Sequence, residues 1–170
     1  MERKRRMNQY PFLENFVGLL RSRPHAYAQI KGSPVYPDVH GPVRFYQTPM
    51  GVLVVAELGG LPTSTPVCAQ PVFGFHIHGG EVCGGNGEDP FAQAGSHYNP
   101  NGCPHPYHAG DMPPLWGADG HAFSAFLTDR FSVDDIIGKT VIVHAGIDDF
   151  TSQPSGNAGA KMGCGVIVGW

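Results

Sequence analysis

Residues 51–59 have the sequence Gly-Val-Leu-Val-Val-Ala-Glu-Leu-Gly, a short apolar and β-branched run between two glycines. Similar runs, separated by glycine and proline, occur at 25–32, 41–48, 123–128, 139–144 and 164–169. An Asp-Gly pair at 119–120, a strong hairpin signal, joins the segment that ends at Trp116 to the run that begins at Phe123. Short strands at this spacing, without helices between them, predict an all-β fold, an antiparallel Greek-key sandwich or barrel.

The composition indicates one compact domain of ordinary size. Of the 170 residues, 41% are hydrophobic and 15% are charged, which argues against a disordered chain or a coiled coil. The 24 glycines and 16 prolines follow no collagen-like period and indicate a loop-rich β domain. Because no apolar run approaches the roughly 18–20 residues that cross a bilayer, we expect no membrane span.

Charge is distributed unevenly along the chain. Seven of the 11 basic residues lie in 1–31, whereas from residue 32 onward four basic residues face twelve acidic ones, a net charge near −8. A domain with this negative charge should repel nucleic acid and anionic lipid, so we expect no nucleic-acid partner. The basic start at Arg3–Arg6 could contact either of them, or form a frayed, solvated end.

Residues 1–24 are predicted to be an appendage to a domain at 25–170. Four apolar residues at i, i+4, i+7 and i+8 define one face of a short helix: Phe12, Phe16, Leu19 and Leu20. Pro24 follows and ends the pattern. The helix either docks onto the domain or binds a partner.

Two long stretches, 79–114 and 145–163, lack a strand pattern, and long loops in a compact domain are usually functional. His76 and His78 precede the first stretch at i, i+2, which on a strand places both imidazoles on one face. Further candidate ligands follow at His97, His105, His108, Asp111 and His144. Six histidines and one aspartate exceed one tetrahedral site but suit two metal sites that share a ligand. The isolated His25, His40 and His121 are expected to be ordinary surface or core residues.

Five ordered motifs support a family assignment. They are Gly74-Phe-His-Ile-His-Gly, Gly95-Ser-His-Tyr-Asn-Pro, His108-Ala-Gly-Asp-Met-Pro, Val143-His-Ala-Gly-Ile-Asp-Asp and Gly156-Asn-Ala-Gly-Ala-Lys-Met-Gly-Cys-Gly-Val. Together they resemble the copper/zinc superoxide dismutases, of the bacterial type, over about residues 25–170. The resemblance implies an oxidoreductase whose substrate is the superoxide anion. In that family copper alternates between Cu(II) and Cu(I), oxidising one superoxide to O2 and reducing the next to H2O2.

The resemblance also implies the ligands of each metal. Copper would be bound by His76, His78, His97 and His144, and zinc by His97, His105, His108 and Asp111. His97 would be the shared imidazolate, which takes up a proton when copper is reduced and later gives it to the departing peroxide. Asp148 matches the carboxylate that bridges a copper ligand and a zinc ligand in the family.

For the four cysteines, the resemblance implies a disulfide between Cys83 and Cys164, which would tie the active-site loop to the last strand. Cys68 and Cys103 remain, and form either a second disulfide or two free thiols.

The chain departs from the family pattern at two places. Only two residues separate His105 from His108, where the family usually has a longer spacer, so the zinc site could be weakened or His105 could point outward. Lys161 stands where the family has an arginine that guides anions to copper. Lysine keeps the positive charge but lacks the planar fork that pairs with two oxygens, so we expect a slower enzyme rather than an inactive one.

The alternative function is a non-catalytic copper-binding or surface-coat module on the same fold, and a structural zinc domain ranks third. Histidine at all four copper positions favours the enzyme. Arg6 is not followed by the apolar segment of a secretory signal, so the sequence as written predicts a cytoplasmic location. The alternative location is the cell or spore surface, by a route without a signal. A homodimer is a candidate assembly, although no sequence feature indicates which face would be buried.

Overall fold

The computed structural model describes residues 11–63 and 71–170, with the backbone alone for residues 11–15. The nine strands of this part are β1 (Ala26–Gly32), β2 (His40–Thr48), β3 (Gly51–Leu58), β4 (Val72–Phe73), β5 (Phe75–His78), β6 (Leu115–Ala118), β7 (His121–Thr128), β8 (Thr140–His144) and β9 (Lys161–Gly169). The helices are α1 (Pro11–Arg21), α2 (Val133–Ile136) and a single 3-10 turn at Ala92–Ala94.

All strand pairs are antiparallel, and the strands form one sheet in the order β4-β6-β7-β3-β2-β1-β9-β8-β5. The first three strands are sequential neighbours and β9 returns beside β1, which is a Greek-key arrangement. The two ends of the order, β4 and β5, are separated in the chain by Gly74 alone, so one segment nearly closes the sheet into a barrel. The predicted all-β fold is confirmed.

The apolar run at 51–59 contains β3, which is buried on both faces. Its residues Val52, Val54 and Ala56 pack in the barrel interior. Leu53 and Val55 point to the other face, where they pack with Tyr46 of β2 against one side of α1.

Helix α1 therefore covers the outside of the barrel. Its residues Phe16, Leu19 and Leu20 pack against that outer face of β2 and β3. The side chain of Phe12, the fourth residue of the predicted apolar face, lies outside the described residues. The boundary of the domain at residue 25 stays a prediction.

The predicted hairpin at Asp119-Gly120 connects β6 to β7. Both residues have positive φ, 49° and 77°, as a two-residue hairpin turn requires. Among the described residues, no helix has the length and apolar character needed to cross a membrane.

Candidate metal centre

A first group of four buried histidines lies where β5 meets β8. His76 and His78 belong to β5, and His144 is the last residue of β8, the strand that pairs with β5. His97 reaches the group from the long loop that follows β5, and its backbone forms an isolated bridge with His78. Each histidine offers a ring nitrogen, and these four nitrogens lie within 4.8 Å of one another.

A second group lies beside the first and shares His97. Its members are His97, His105, His108 and Asp111, all from one loop and all buried. The Nδ1 atoms of the three histidines surround the carboxylate of Asp111, at 2.7 Å for His97, 3.1 Å for His105 and 3.3 Å for His108. One ligand atom from each of the four residues lies within 4.8 Å of the others, close enough for one metal ion.

Backbone carbonyls fix the orientation of two rings in the first group. The Nδ1–H of His78 donates to the Gly95 carbonyl at 2.8 Å, and the Nδ1–H of His144 donates to the Gly159 carbonyl at 3.1 Å. The Nε2 atoms of these two histidines then face each other at 3.3 Å. Occupying one ring nitrogen in this way directs the other nitrogen toward a metal.

Asp148 connects the two groups. Its carboxylate accepts a hydrogen bond from His76 Nε2 at 2.7 Å and another from His105 Nε2 at 2.9 Å. Gly156 lies against this contact, because a Cβ at that position would stand 2.0 Å from Asp148 Oδ1 and 2.6 Å from His105 Nε2. Its φ of +67° also favours glycine, so both groups depend on this one residue to leave space for the carboxylate.

Three buried nitrogens in the groups make no hydrogen bond within the described part of the chain: His76 Nδ1, His97 Nε2 and His105 Nδ1. The last of these lies 3.1 Å from the Asp111 carboxylate without hydrogen-bonding to it. Burying a polar atom without a partner is unfavourable, so these nitrogens indicate that metal ions bind here. The four nitrogens of the first group suit copper, and the mixed nitrogen and oxygen donors of the second suit tetrahedral zinc. The residues present therefore fit both metals.

Three histidines of the first group, His76, His78 and His144, are held neutral. Burial, together with the neighbouring histidines, lowers the pKa of His78 to about 2 and that of His144 to about 3. Burial also lowers the pKa of His76, although its hydrogen bond to Asp148 opposes the shift. Because a histidine must be deprotonated at the ligating nitrogen, these shifts prepare the first group for metal at neutral pH.

The two buried carboxylates are held ionised. Burial acts to raise the pKa of Asp111, but the hydrogen bond to His97 and the other nearby histidines bring it below the usual value. The pKa of Asp148 is also lowered, because its hydrogen bonds with His76, Phe150 and His105 outweigh burial. Both groups therefore carry negative charge where cations would bind.

The short spacer between His105 and His108 does not turn His105 outward. His105 is buried, and the side chain of Gln153 bonds to both its backbone amide and its backbone carbonyl. The Gln153 Oε1 accepts from the His105 amide at 2.9 Å, and its Nε2 donates to the His105 carbonyl at 2.7 Å. Arg130 donates from Nη1 to the carbonyls of Pro106, His108 and Asp111 at 3.1, 3.3 and 3.2 Å.

A cavity of about 530 Å³ leads to the first group. His78, His97 and His144 lie in its wall, and so does Lys161, the first residue of β9. The Lys161 ammonium donates a hydrogen bond to the carboxylate of Asp89.

The disulfide expected between Cys83 and Cys164 is confirmed, with the two Cα atoms 5.7 Å apart. Cys103 makes no disulfide with either of these two cysteines. Cys68 lies outside the described residues, so a Cys68–Cys103 pair stays a prediction.

The three isolated histidines lie outside both described metal groups. His40 and His121 each bond through Nδ1 to a nearby backbone carbonyl, and His25 Nδ1 accepts from the amide of Gln47. Ordinary backbone contacts therefore account for their positions.

Sequence reasoning missed three residues that shape the site: Asp89, Arg130 and Gln153. Arg130 and Gln153 act on backbone atoms that lie 19 or more positions away in the chain, so no local pattern marks them. Asp89 sits in a Glu-Asp-Pro turn whose composition is typical of any exposed loop.

Fold and site together define a class of protein: an antiparallel β-barrel with two adjoining metal groups joined by one histidine. The family model described as "Copper/zinc superoxide dismutase (SODC)" matches residues 39–167. The superoxide dismutase [Cu-Zn] of Legionella pneumophila is 32% identical over 164 residues, which cover 89% of this chain and 94% of that protein. Superoxide dismutase [Cu-Zn] 2 of Aquifex aeolicus is 32% identical over 146 residues, 76% of this chain and 80% of that protein. The chain belongs to the copper/zinc superoxide dismutase family.

Proposed function

We propose that this chain is a superoxide dismutase that binds copper in the first group and zinc in the second. The reaction converts two superoxide anions and two protons into O2 and H2O2. The observation that carries the proposal concerns His97. Its Nδ1 belongs to the second group, while its buried Nε2 makes no hydrogen bond within residues 11–63 and 71–170 and is available to the first group.

Bound copper supplies the one-electron oxidation and reduction, by alternating between two charge states. The protein supplies one of the two protons, and solvent supplies the other. Because the second group engages His97 through Nδ1, its Nε2 is the atom that can hold a proton and release it to the peroxide. His97 lines the cavity, so this proton reaches a species bound there.

Lys161 is the positive group of the cavity wall and attracts the anionic substrate. Its position beside His144 in the pairing of β8 with β9 keeps it close to the first group. Lysine at this position provides charge without a planar fork, so we expect attraction without tight orientation of the anion.

The test is superoxide decay after pulse radiolysis, with the protein loaded with copper and zinc and free copper removed by a chelator. We expect decay that is catalytic and far faster than in a blank with the same chelated copper. The His144→Ala variant is the control, since it removes one nitrogen of the first group. Decay equal to the blank would favour a non-catalytic copper-binding or surface-coat module.

We also propose that the chain forms a homodimer. Trp116 of β6 and Phe123 of β7, 66% and 64% exposed, place two large aromatic side chains on neighbouring strands of the barrel surface, which supports an interface there. Light scattering of the purified protein tests the stoichiometry, and a monomer at micromolar concentration would overturn it. The cytoplasmic location stays a prediction, which cell fractionation would check.

A further inference from the structure

The carboxylate of Asp89 is in direct contact with the ammonium group of Lys161. The two groups form an ion pair in the wall of the cavity that leads to His78, His97 and His144. The Lys161 side chain is 15% exposed and that of Asp89 is 39% exposed, so the pair lies where an anion enters.

Asp89 is fixed in this position by its own turn. Its Oδ1 accepts from the amide of Phe91 at 3.0 Å, and its backbone carbonyl accepts from the amides of Asn86 and Ala92. The remaining oxygen, Oδ2, is the one that contacts Lys161. One oxygen of the carboxylate therefore bonds to the backbone of the turn, and the other bonds to Lys161.

The turn is also anchored to the barrel. Phe91 packs with Ile142 of β8 and Cys164 of β9, and the Cys83–Cys164 disulfide joins the same loop to β9. Since a covalent bond and an apolar cluster hold the loop, the contact between Asp89 and Lys161 is a built feature and not a chance surface encounter.

Two acidic side chains in the cavity wall oppose the attraction of Lys161 for an anion. Glu88 and Asp89 carry negative charge and Lys161 carries positive charge, so these three residues leave one net negative charge. A carboxylate in contact with an ammonium group cancels much of the electric field that the ammonium would exert on an approaching anion. The hydrogen bonds from Lys161 and Phe91 also lower the pKa of Asp89 against the effect of burial, so this negative charge is present at neutral pH.

We propose that Asp89 is a positioning residue that holds Lys161 and weakens its attraction for small anions. An anion that enters the cavity competes with the Asp89 carboxylate for the ammonium, so substrate capture is slower than a free lysine would allow. This inference deepens the proposed superoxide dismutase function and rests on it. It also predicts that removing the carboxylate improves anion binding, which a merely structural role would not do.

The test compares Asp89→Asn with Glu88→Gln, and repeats both in the Lys161→Met background. Asparagine keeps an oxygen for the Phe91 amide and removes the negative charge. Glu88→Gln is a matched control, because it removes one charge from the same wall at a residue that forms no ion pair in the described part of the chain. The readout is the dissociation constant of azide, measured from its charge-transfer band with Cu(II) in the loaded protein.

We expect Asp89→Asn to lower the azide dissociation constant about two- to fivefold, the size of one charge removed at the entrance of a solvated cavity. The rate constant for superoxide should rise in parallel and fall more steeply with ionic strength than in the parent protein. Without Lys161, the effect of Asp89→Asn should shrink to that of Glu88→Gln. In the parent background, Glu88→Gln should give the smaller change.

Unchanged or weaker azide binding in Asp89→Asn, or an equal effect with and without Lys161, would overturn the proposal. Circular dichroism of each variant excludes misfolding as the cause. Failure of the proposed function would appear separately, as no copper binding or no superoxide decay in the parent protein. In that case, azide titration of the metal-free protein, followed through the NMR signal of the ¹³C-labelled Lys161 side chain, still decides between a free and a restrained ammonium.

Discussion

The two halves of the metal centre share His97 but are built from different parts of the molecule. Three of the four histidines in the first group lie on the paired strands β5 and β8, inside the hydrogen-bonded frame of the barrel. All four residues of the second group come from the loop at 97–111. A barrel strand fixes its side chains through pairing along its length. This loop instead meets the backbone of β5 at its two ends, His97 and Asp111, and is held between them by side chains from elsewhere in the chain.

Those contacts are present around the second group. Arg130 and Gln153 hold the backbone of the loop, and Asp148 holds the ring of His105. The first group needs fewer such contacts and faces a cavity. The strand-built half faces this cavity through His78 and His144, and the loop-built half reaches it through His97 and His108.

The largest effect should follow from His144→Ala, which removes the histidine that β8 contributes to the first group. We expect a loss of superoxide dismutation of more than about 100-fold, because changes to residues that merely support a ligand already cost 10- to 100-fold. Copper content should fall while zinc content and the fold remain. Metal analysis, circular dichroism and the rate after pulse radiolysis measure the three quantities. Loss of zinc along with copper would show that the two halves are not separable.

Asp148→Asn should affect both halves at once, since the carboxylate bonds to one histidine of each. An amide keeps the size but offers one acceptor oxygen in place of two and carries no charge. One ring therefore loses its partner, and the other keeps only a neutral hydrogen bond. We expect zinc and copper affinities to fall by about 10- to 100-fold, measured by competition with chelators of known strength. An unchanged affinity for either metal would mean that the Asp148 contact does not orient that half.

The difference between the halves also explains how much of the site the sequence could predict. The pair His76 and His78 is visible as an i, i+2 pattern because a strand alternates its faces, and the strand runs and the Asp119-Gly120 turn predict the barrel for the same local reason. The loop ligands have no such period, and only the resemblance to the family ordered them into a second group.

Residues that act across the chain escaped prediction. Asp89, Arg130 and Gln153 are ordinary polar residues in the sequence, and their roles arise when distant segments meet. Helix α2 was also missed, although Ser132 and Asp135 form a capping box that a search for Ser-x-x-Asp could have found. Four residues of helix carry too weak a periodic signal to be recognised otherwise.

Acidification should lower the stability of the metal-free protein through two histidines of the first group. His78 and His144 have pKa values of about 2 and 3 in the folded protein against 6.5 when unfolded, so the unfolded state alone binds protons as the pH falls below about 6.5. Each of these histidines should therefore lower the free energy of unfolding by about 2 kcal/mol at pH 5, which corresponds to roughly 30-fold in the folding equilibrium constant. Asp111 and Asp148, whose pKa values are lowered, contribute a loss of stability only below about pH 4.

Urea unfolding of the metal-free protein at pH 7, 6 and 5 measures this loss, and His144→Gln serves as the control because it should remove part of the pH dependence. A free energy of unfolding that stays constant from pH 7 to pH 5 would show that these histidines are not held neutral in the folded state.

The smallest effect should come from Arg130→Gln, which tests whether the loop-built half depends on contacts from outside the loop. The substitution removes a cation that donates to three carbonyls of the loop, and a hydrogen bond from a charged group typically contributes more than a neutral one. We expect zinc affinity to fall about 5- to 10-fold, with copper affinity unchanged because the loop contributes only His97 to the first group. Arg44→Gln is the matched control, since Arg44 pairs with Glu57 at 3.0 Å on the barrel surface, away from both groups. A similar change in zinc affinity in both variants would assign the effect to net charge, and the loop would then hold its ligands without help from Arg130.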